Sequence, residues 1–451
     1  MAVWRNWQTR QTQNLMSLGT YRFDPDHRYY VYRKLMVLSM SFFIAQIASC
    51  TSYLYNSNHG GFFMNIGLYT DTYFPQISGV ATSIQTLKRA LEKQGHNVFI
   101  FTTTDPHVGK GVVEPNVFRF SSVPFISFTD RRIAFRGLFE ATRVAKEVQL
   151  DVVHTQTEFS MGLIGKYVAH QLNIPAIHTY HTMYEDYLHY VLNGNLLRPV
   201  HVKQFTKAYL KNMDGVVAPS KRVENLLERY GVQIPIEVIP TGVDIEAMNG
   251  DQQRNVRPEL GIASDDLVIL TLSRIAAEKK IDRILDLMPE LLGQFPNLKL
   301  VIAGDGPDVD ILKNQVERLS IEDYVIFTGD VPHEDVGNFY RMADLFVSAS
   351  DTETQGLTYI EALAAGTKSV VFDTDYTENV FDDIEFGQVF NSQKEMKEAI
   401  ISYLKQGKRP INPSKLKTKL ENISAAHFGK EVIGFYQAAI DTHSNKEVND
   451  D

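Results

Sequence analysis

The sequence predicts an α/β protein made of two successive doubly wound halves. Three observations carry that prediction. Short apolar runs of strand length alternate with longer stretches whose apolar residues recur at helical spacing. Loops with glycine or polar residues follow the apolar runs. The whole pattern then restarts after "VIPTGVD", Val238–Asp244. Strand–helix alternation implies parallel sheets with crossover helices on their faces.

The first half opens with "MNIGLYTDTYF", where Asn65–Thr70 reads as a buried strand ending in polar loop residues. Val80, Ile84, Leu87 and Leu91 follow at helical spacing, and Gly95 ends that helix. "VFIFTTT" is a second strand, which completes one βαβ unit. "DVVHTQ", "PAIHTYH" and "GVVAPS" supply further strands. In the second half "LVILTLSR" reads as a strand, "KKIDRILDLMPELLGQF" as a helix and "LKLVIAGDG" as a strand. "VIFTGDV", "LFVSAS" and "SVVFD" continue the series. The expected domains are therefore residues 64–243 and 244–430, with a terminal helix and polar tail over 431–451. The tail "SNKEVNDD" reads as disordered. There is no internal repeat of fixed short period and no low-complexity tract.

A chain of 451 residues with 44% apolar content has enough material for two cores. A formal charge of −9 argues against a general nucleic-acid binder. The charge is uneven: +4 over residues 1–63, +3 over 64–243 and −16 over 244–451. Such asymmetry fits either one half that touches an anionic surface or ordinary surface variation. Cys50 is the only cysteine, so no disulfide or thiolate metal site is available from Met64 onward, as in a reducing cytosol. Residues 1–63 lack helical or strand periodicity. Their "RFDP", Arg22–Pro25, resembles translation through the T-arm of a transfer-RNA gene. The expectation is a misassigned start, with the true one at Met64 and no ordered structure before it. The competing reading is a leader. Lys34 precedes "LMVLSMSFFIAQIAS", and "IASC" matches a lipoprotein cleavage box, but the run is too short to span a bilayer comfortably.

"SDTETQGLTYIEALAAG", Ser350–Gly366, sets Glu353 and Glu361 on either side of Gly356. A strand delivers the chain to the loop Asp351–Gly356, and a helix begins near Leu357. Free amides at a helix start beside a glycine form an anion site that suits a diphosphate. The two glutamates are separated by about 12 Å at helical rise, roughly the span from hexose to ribose in a sugar nucleotide. Carboxylates suit both ends because they accept two hydroxyl hydrogen bonds. The plainer alternative is an exposed Glu353 and a helix-surface Glu361. In "LSRIAAEKK", Arg274 and Lys279 lie just past a strand end. There they either neutralise a leaving diphosphate in place of a metal or form solvated surface charges. Gly79 in "QISGV" permits close phosphate approach, although one glycine is no dinucleotide fingerprint.

"HTYHTMYEDYLHY" gathers His181, Glu185, Asp186 and His189 as acceptor-site or catalytic groups, without zinc-ligand spacing. Asp373 and Asp375 in "FDTDY" form either a divalent-metal pair or a loop cap, and the cap is the plainer reading. "FISFTDRRIAFRGLFEATRVAK" interleaves Arg131, Arg132 and Arg136 with Phe125, Phe128, Phe135 and Phe139. In "HVKQFTKAYLK", Lys203, Lys207 and Lys211 share one helical face. Basic residues beside aromatics suit an anionic membrane interface; the alternative is an ordinary solvated helix face.

As a set these motifs resemble the retaining glycosyltransferases of family 4, which have the GT-B fold: two Rossmann-like domains facing a central cleft. Glu353 and Glu361 match that family's E-x7-E motif. Arg274 and Lys279 match its phosphate-binding pair. "IAGDGP" and "FTGDV" match two further loops, the second containing Gly329. "IPTGVD" matches the interdomain segment, more often I-P-N-G-V-D. Thr358 stands where proline is common, and Lys368 and Ser369 in "GTKSVVF" depart from the usual G-x-P-V-V. More narrowly, "YTDTYFPQISGVATSI", "HTQTEFSMG" and "HTYHTMYEDYLHY" are similar to bacterial 1,2-diacylglycerol 3-α-glucosyltransferases. The resemblance covers nearly all of 64–440.

The resemblance implies glucose transfer from UDP-glucose to the 3-hydroxyl of 1,2-diacylglycerol. The product would be α-monoglucosyldiacylglycerol, a membrane glycolipid that can anchor lipoteichoic acid. It implies catalytic roles for His181, Glu353, Arg274 and Lys279. It implies donor binding by Gly79, Gly329, Gln355, Gly356, Leu357, Thr358 and Glu361. Arg131, Arg132, Arg136, Lys203 and Lys207 would form the membrane and acceptor face. No metal or cofactor is expected. The expected partners are a UDP-sugar, diacylglycerol and an anionic membrane surface at the cytoplasmic face, with no nucleic acid. A family 4 enzyme with a soluble or polysaccharide acceptor and a non-catalytic sugar-nucleotide scaffold remain as alternatives.

Overall fold

Apolar, largely β-branched runs build the first sheet. Its strands are β1 (Asn65–Tyr69), β2 (Asn97–Thr103) and β3 (Val117–Phe120). A two-stranded hairpin follows, β4 (Ser122–Phe125) and β5 (Phe128–Ala134). The sheet then continues with β6 (Val152–Thr155), β7 (Ala176–Thr179), β8 (Gly215–Ala218) and β9 (Ile236–Val238). The seven sheet strands lie parallel in the order β3-β2-β1-β6-β7-β8-β9. This computed structural model describes residues 63–76, 78–109, 112, 114–125, 128–134, 137–185, 198–249, 254–407 and 409–450. The expectations for residues 1–62, Asp186, His189 and Arg136 therefore lie outside the described residues.

The second sheet is also parallel. Its strands are β10 (Leu267–Leu272), β11 (Leu298–Ala303), β12 (Val325–Gly329), β13 (Leu345–Ser348), β14 (Ser369–Phe372) and β15 (Gly387–Phe390). Their order is β12-β11-β10-β13-β14-β15. Strand order reverses between β1 and β6 in one sheet and between β10 and β13 in the other. Ligands bind at the carboxyl ends of strands at such switch points. The loops after these four strands thus hold the candidate site.

The helix Gly79–Lys93 follows the predicted spacing. It buries Ile84, Leu87 and Leu91, and Ser78 caps it by accepting from Ala81 N at 3.1 Å. Three expectations change. The helix expected across 279–295 is two, Ile281–Leu285 and Met288–Gln294, because Pro289 removes a backbone donor in the middle. The basic–aromatic stretch near Arg132 is a strand, and helix begins only at Leu138. The third concerns the end of the chain. A helix runs Ala425–Asp450, through the segment expected as a polar tail. Its Phe428, Val432 and Tyr436 pack with Met64, Ile66 and Leu68 in the first domain's core. Phe435 fills the space over Gly215, where a Cβ would meet its ring at 2.4 Å. The chain therefore returns to the first domain near Ser424, earlier than the expected boundary at 430. Outward and return crossings run side by side: Val243 N donates to Ile423 O at 2.8 Å and Ala425 N to Val243 O at 2.9 Å.

Candidate active site

The loop after β13 leads into the helix Leu357–Ala364, whose N-cap is Gly356. Gly356 has φ 83°, and a Cβ there would lie 2.3 Å from the Tyr359 ring. Left-handed backbone and the adjacent ring together demand glycine, so phosphate approach is not its only reason. Leu357 and Thr358 form the first helical turn and are half-buried. Glu353 meets Lys279 at 2.5 Å, with side chains 23% and 17% exposed. Burial pushes the Glu353 carboxyl up. The Lys279 charge and hydrogen bond, with help from Ser350 and Arg222, overcome this and hold it below the usual range. It is therefore a carboxylate at neutral pH. Lys280 pairs with Asp351 beside it.

Glu361 sits in different surroundings. Tyr340 Oη donates to it at 2.9 Å, yet burial raises its pKa. It lines a small cavity with Thr82 and Thr86 from the first domain and Asp244 and His333. The two glutamates thus sit in separate surroundings and shift in opposite directions.

Two glycine loops fix Arg274. A Cβ on Gly304 would lie 2.0 Å from Ser273 O, and one on Gly306 would lie 2.1 Å from Ile275 O. The loop "AGDGP" therefore packs directly on the backbone around Arg274, and Ile275 N donates to Asp305 O at 2.8 Å. Gly329 accepts at its carbonyl from Gly304 N at 2.8 Å and takes φ 70°. Arg274 itself is exposed. Across the cleft Gly79 begins its helix, and a Cβ there would meet nothing within 4 Å. Gly79 is exposed there.

In the first domain His181 follows β7 and its Nε2 lies 2.8 Å from Gln156 Oε1. Burial first, then the nearby His178, lower its pKa to about 4, with Glu158 opposing. His181 is therefore neutral at pH 7. Beneath it His178 Nε2 lies 3.1 Å from Glu158 Oε1, and Tyr184 Oη donates to the other carboxylate oxygen. Asp71, after β1, accepts from Thr157 Oγ1 at 2.6 Å and from Met161 N at 3.0 Å, anchoring the start of the helix Ser160–Leu172. Gln156, Glu158 and Asp71 escaped the sequence analysis as site residues. Their signal was present, since polar residues end the apolar runs of "LYTDT" and "HTQTEF".

Several expected site residues do other work. Gln355 is buried. Its Nε2 donates to Thr241 O at 2.7 Å and to Tyr376 Oη at 3.0 Å, and its Oε1 accepts from Thr241 N at 2.8 Å. Both side-chain amide hydrogens are engaged by protein. Arg132 turns back on its hairpin, donating to Ser122 Oγ at 2.9 Å and Ser122 O at 2.8 Å. Lys203 Nζ donates to Arg229 O at 3.2 Å, and Lys207 Nζ lies over Gly231. Both lysines serve the carbonyl end of the helix Lys221–Tyr230, where the helix dipole favours cations. Lys211 lies just past the end of its helix. The side chain of Arg131 lies outside the described residues. Glu185 accepts from Tyr230 Oη at 2.6 Å. Asp373 accepts from Asn391 Nδ2 at 2.7 Å, and Thr374 between the two aspartates caps the helix Asp375–Val380.

Residues 77–247 match the family profile Glycosyltransferase Family 4, and residues 252–420 match Glycosyl transferases group 1. The alpha-monoglucosyldiacylglycerol synthase of Streptococcus pneumoniae R6 is 46% identical over 382 residues, 84% of this chain and 86% of that protein. This chain belongs to glycosyltransferase family 4. The alpha-monoglucosyldiacylglycerol synthase of Acholeplasma laidlawii is 34% identical over 407 residues, covering 86% of this chain and 100% of that one. Among solved structures, sucrose-phosphate synthase from Thermosynechococcus elongatus superposes with TM-score 0.67 at 21% identity, covering 84% of this chain and 100% of its own. Anabaena HepE in complex with UDP-glucose gives 0.66 at 15%, covering 83% and 100%. These likenesses establish the GT-B fold.

Buried histidines in the first domain make its stability depend on pH. His154 is fully buried, its Nδ1 2.6 Å from Tyr436 Oη and its Nε2 2.7 Å from Thr179 Oγ1, and burial lowers its pKa well below 6.5. His154 and His181 both have folded pKa values below those of the unfolded chain. As pH falls below about 6.5, the unfolded chain therefore takes up more protons and gains. Glu353 acts in the same direction at lower pH. Thermal melts of this family 4 enzyme are expected to be flat above pH 7 and to fall steadily from 6.5 towards 4. An unchanged midpoint from pH 7 to 5 contradicts the assignment.

Proposed function

We propose that this glycosyltransferase moves glucose from UDP-glucose to the 3-hydroxyl of 1,2-diacylglycerol, with retention, at the cytoplasmic face of the membrane. The observation that carries this reading is the 46% identity to the pneumococcal alpha-monoglucosyldiacylglycerol synthase over most of both chains. In this reading each step falls to named residues. Arg274, Lys279 and the first amides of the helix after Gly356 receive the developing charge of the leaving diphosphate. Lys279 exchanges Glu353 for phosphate, which frees Glu353 for the hexose 3- and 4-hydroxyls. Glu361 takes the ribose. The bond from the sugar's anomeric carbon to phosphate oxygen breaks as the acceptor oxygen bonds to that carbon from the same face. The acceptor's proton passes to the departing phosphate. His181 is neutral and holds the hexose 6-hydroxyl rather than acting as a base. The reaction needs no metal in this reading.

The first domain supports a bilayer-facing acceptor site through apolar rather than basic side chains. Phe139 is 82%, Leu163 54% and Phe205 44% exposed. They stand on three neighbouring helices: Leu138–Glu147 packs on Ser160–Leu172, which abuts Pro199–Leu210 where a Cβ on Gly162 would meet Tyr209 Oη at 2.5 Å. Large exposed apolar side chains of this kind mark membrane or protein contacts. The acidic second half favours the opposite orientation, away from anionic lipid. Among the described residues no helix is long and apolar enough to cross a membrane. The test replaces Phe139, Leu163 and Phe205 with serine together. Binding to vesicles of anionic phospholipid and diacylglycerol is expected to weaken about 10-fold or more, with activity on detergent-dispersed diacylglycerol preserved. Unchanged vesicle binding would refute this docking face.

A further inference from the structure

We propose that Gln355 is a positioning residue: it clasps the loop carrying Glu353 to the interdomain crossing, so that donor binding and domain geometry are coupled. This inference rests on the proposed donor site. Its own support is a continuous set of bonds. Gln355 grips both backbone groups of Thr241, accepting from its N–H at 2.8 Å and donating to its carbonyl at 2.7 Å. Thr241 belongs to the outward crossing between β9 and the second domain. Its side chain passes the connection on, because Thr241 Oγ1 lies 2.8 Å from Ser83 Oγ on the helix Gly79–Lys93. All three residues are buried, with exposures of 3–5%. The same helix starts at Gly79, a donor-binding residue by the family resemblance.

The crossing next to Thr241 has little freedom of its own. A Cβ on Gly242 would lie 2.3 Å from Ser424 O of the return crossing. Two further bonds from the first domain end on the same loop: Ser220 Oγ donates to Thr354 O, and Arg222 Nη1 donates to Asp351 O at 2.8 Å. The loop that presents Glu353 is thus tied to the first domain at Thr354 and Asp351 and to the crossing at Gln355. A side chain that bonds a backbone amide and carbonyl as a pair fixes both distance and register. A shift of the loop on donor binding is transmitted to Thr241 and Ser83, and a change in domain angle is transmitted back to Glu353.

The test uses the full chain, with UDP as probe, and three variants: Gln355→Leu, Ser83→Ala and the double variant. Gln355→Leu is expected to weaken UDP binding about 10-fold in calorimetry. Ser83→Ala, which is remote from the loop, is expected to weaken UDP binding about 3-fold. In the Gln355→Leu background it adds nothing, because the relay is already cut. A Gln355 that simply touched donor would leave Ser83→Ala at wild-type affinity, and that result overturns the clasp. Additive losses overturn it as well. Should Gln355→Leu fail to fold, the Ser83→Ala result alone decides by the same criterion. A wild-type chain that binds no UDP removes the donor-site reading and this inference together, whereas wild-type binding with unaffected variants removes only the inference.

Discussion

Replacing Glu353 with glutamine lowers turnover by about 100-fold or more, while UDP binding stays within a few-fold of wild type. The amide keeps the shape of the side chain and one acceptor oxygen. It loses the charge that makes the hydroxyl hydrogen bonds strong. The structure keeps that charge in place against burial by means of Lys279, 2.5 Å away. A group held ionised in partly buried surroundings is suited to contacts that strengthen as positive charge develops on the sugar. In the proposed reading the nucleotide end depends on other residues, chiefly Glu361, so affinity for UDP is expected to survive. Steady-state kinetics with a UDP inhibition constant separate the two effects. Turnover within 3-fold of wild type would remove Glu353 from the hexose site.

The second large effect belongs to Lys279. Lys279→Met keeps the length of the side chain and deletes its cation. Turnover is expected to fall by about 100- to 1,000-fold because the leaving diphosphate loses one of its two cationic partners. Stability should fall too, by roughly 1–3 kcal/mol, since Glu353 is left partly buried with only Ser350 and Arg222 to offset the burial. The two losses are separable. Adding Glu353→Gln to Lys279→Met removes the stranded charge, so the double variant is expected to recover stability and to remain inactive. Urea unfolding and turnover of the four proteins in that cycle give the answer. A double variant less stable than Lys279→Met alone contradicts the pairing.

Much of this was legible locally. The interior strands announced themselves as short apolar runs because a strand buried on both faces has little room for polar side chains. The strands that escaped are β3, β9 and β15, at the edges of their sheets, and the separate hairpin β4–β5. They bury less and carry mixed patterns such as "IEV" and "GQVF". The Glu353 and Lys279 positions were readable from their placement at strand ends. Gln355 was not, because its partner Thr241 is 114 residues away and no periodicity reports a hydrogen bond at that range. The same holds for Lys203, whose charge reads as surface until the carbonyl end of a later helix is seen beside it. The C-terminal helix looked like an appendage because nothing local shows that Tyr436 reaches His154, 282 residues earlier.

The central claim is a retaining glucosyl transfer to diacylglycerol. The most direct measurement incubates the purified chain with UDP-glucose and 1,2-diacylglycerol in mixed micelles and determines the lipid product by NMR. The expected product carries one glucose, α-linked to the 3-hydroxyl, and forms with stoichiometric release of UDP. A β-linked product, or UDP release that does not depend on diacylglycerol, would contradict it.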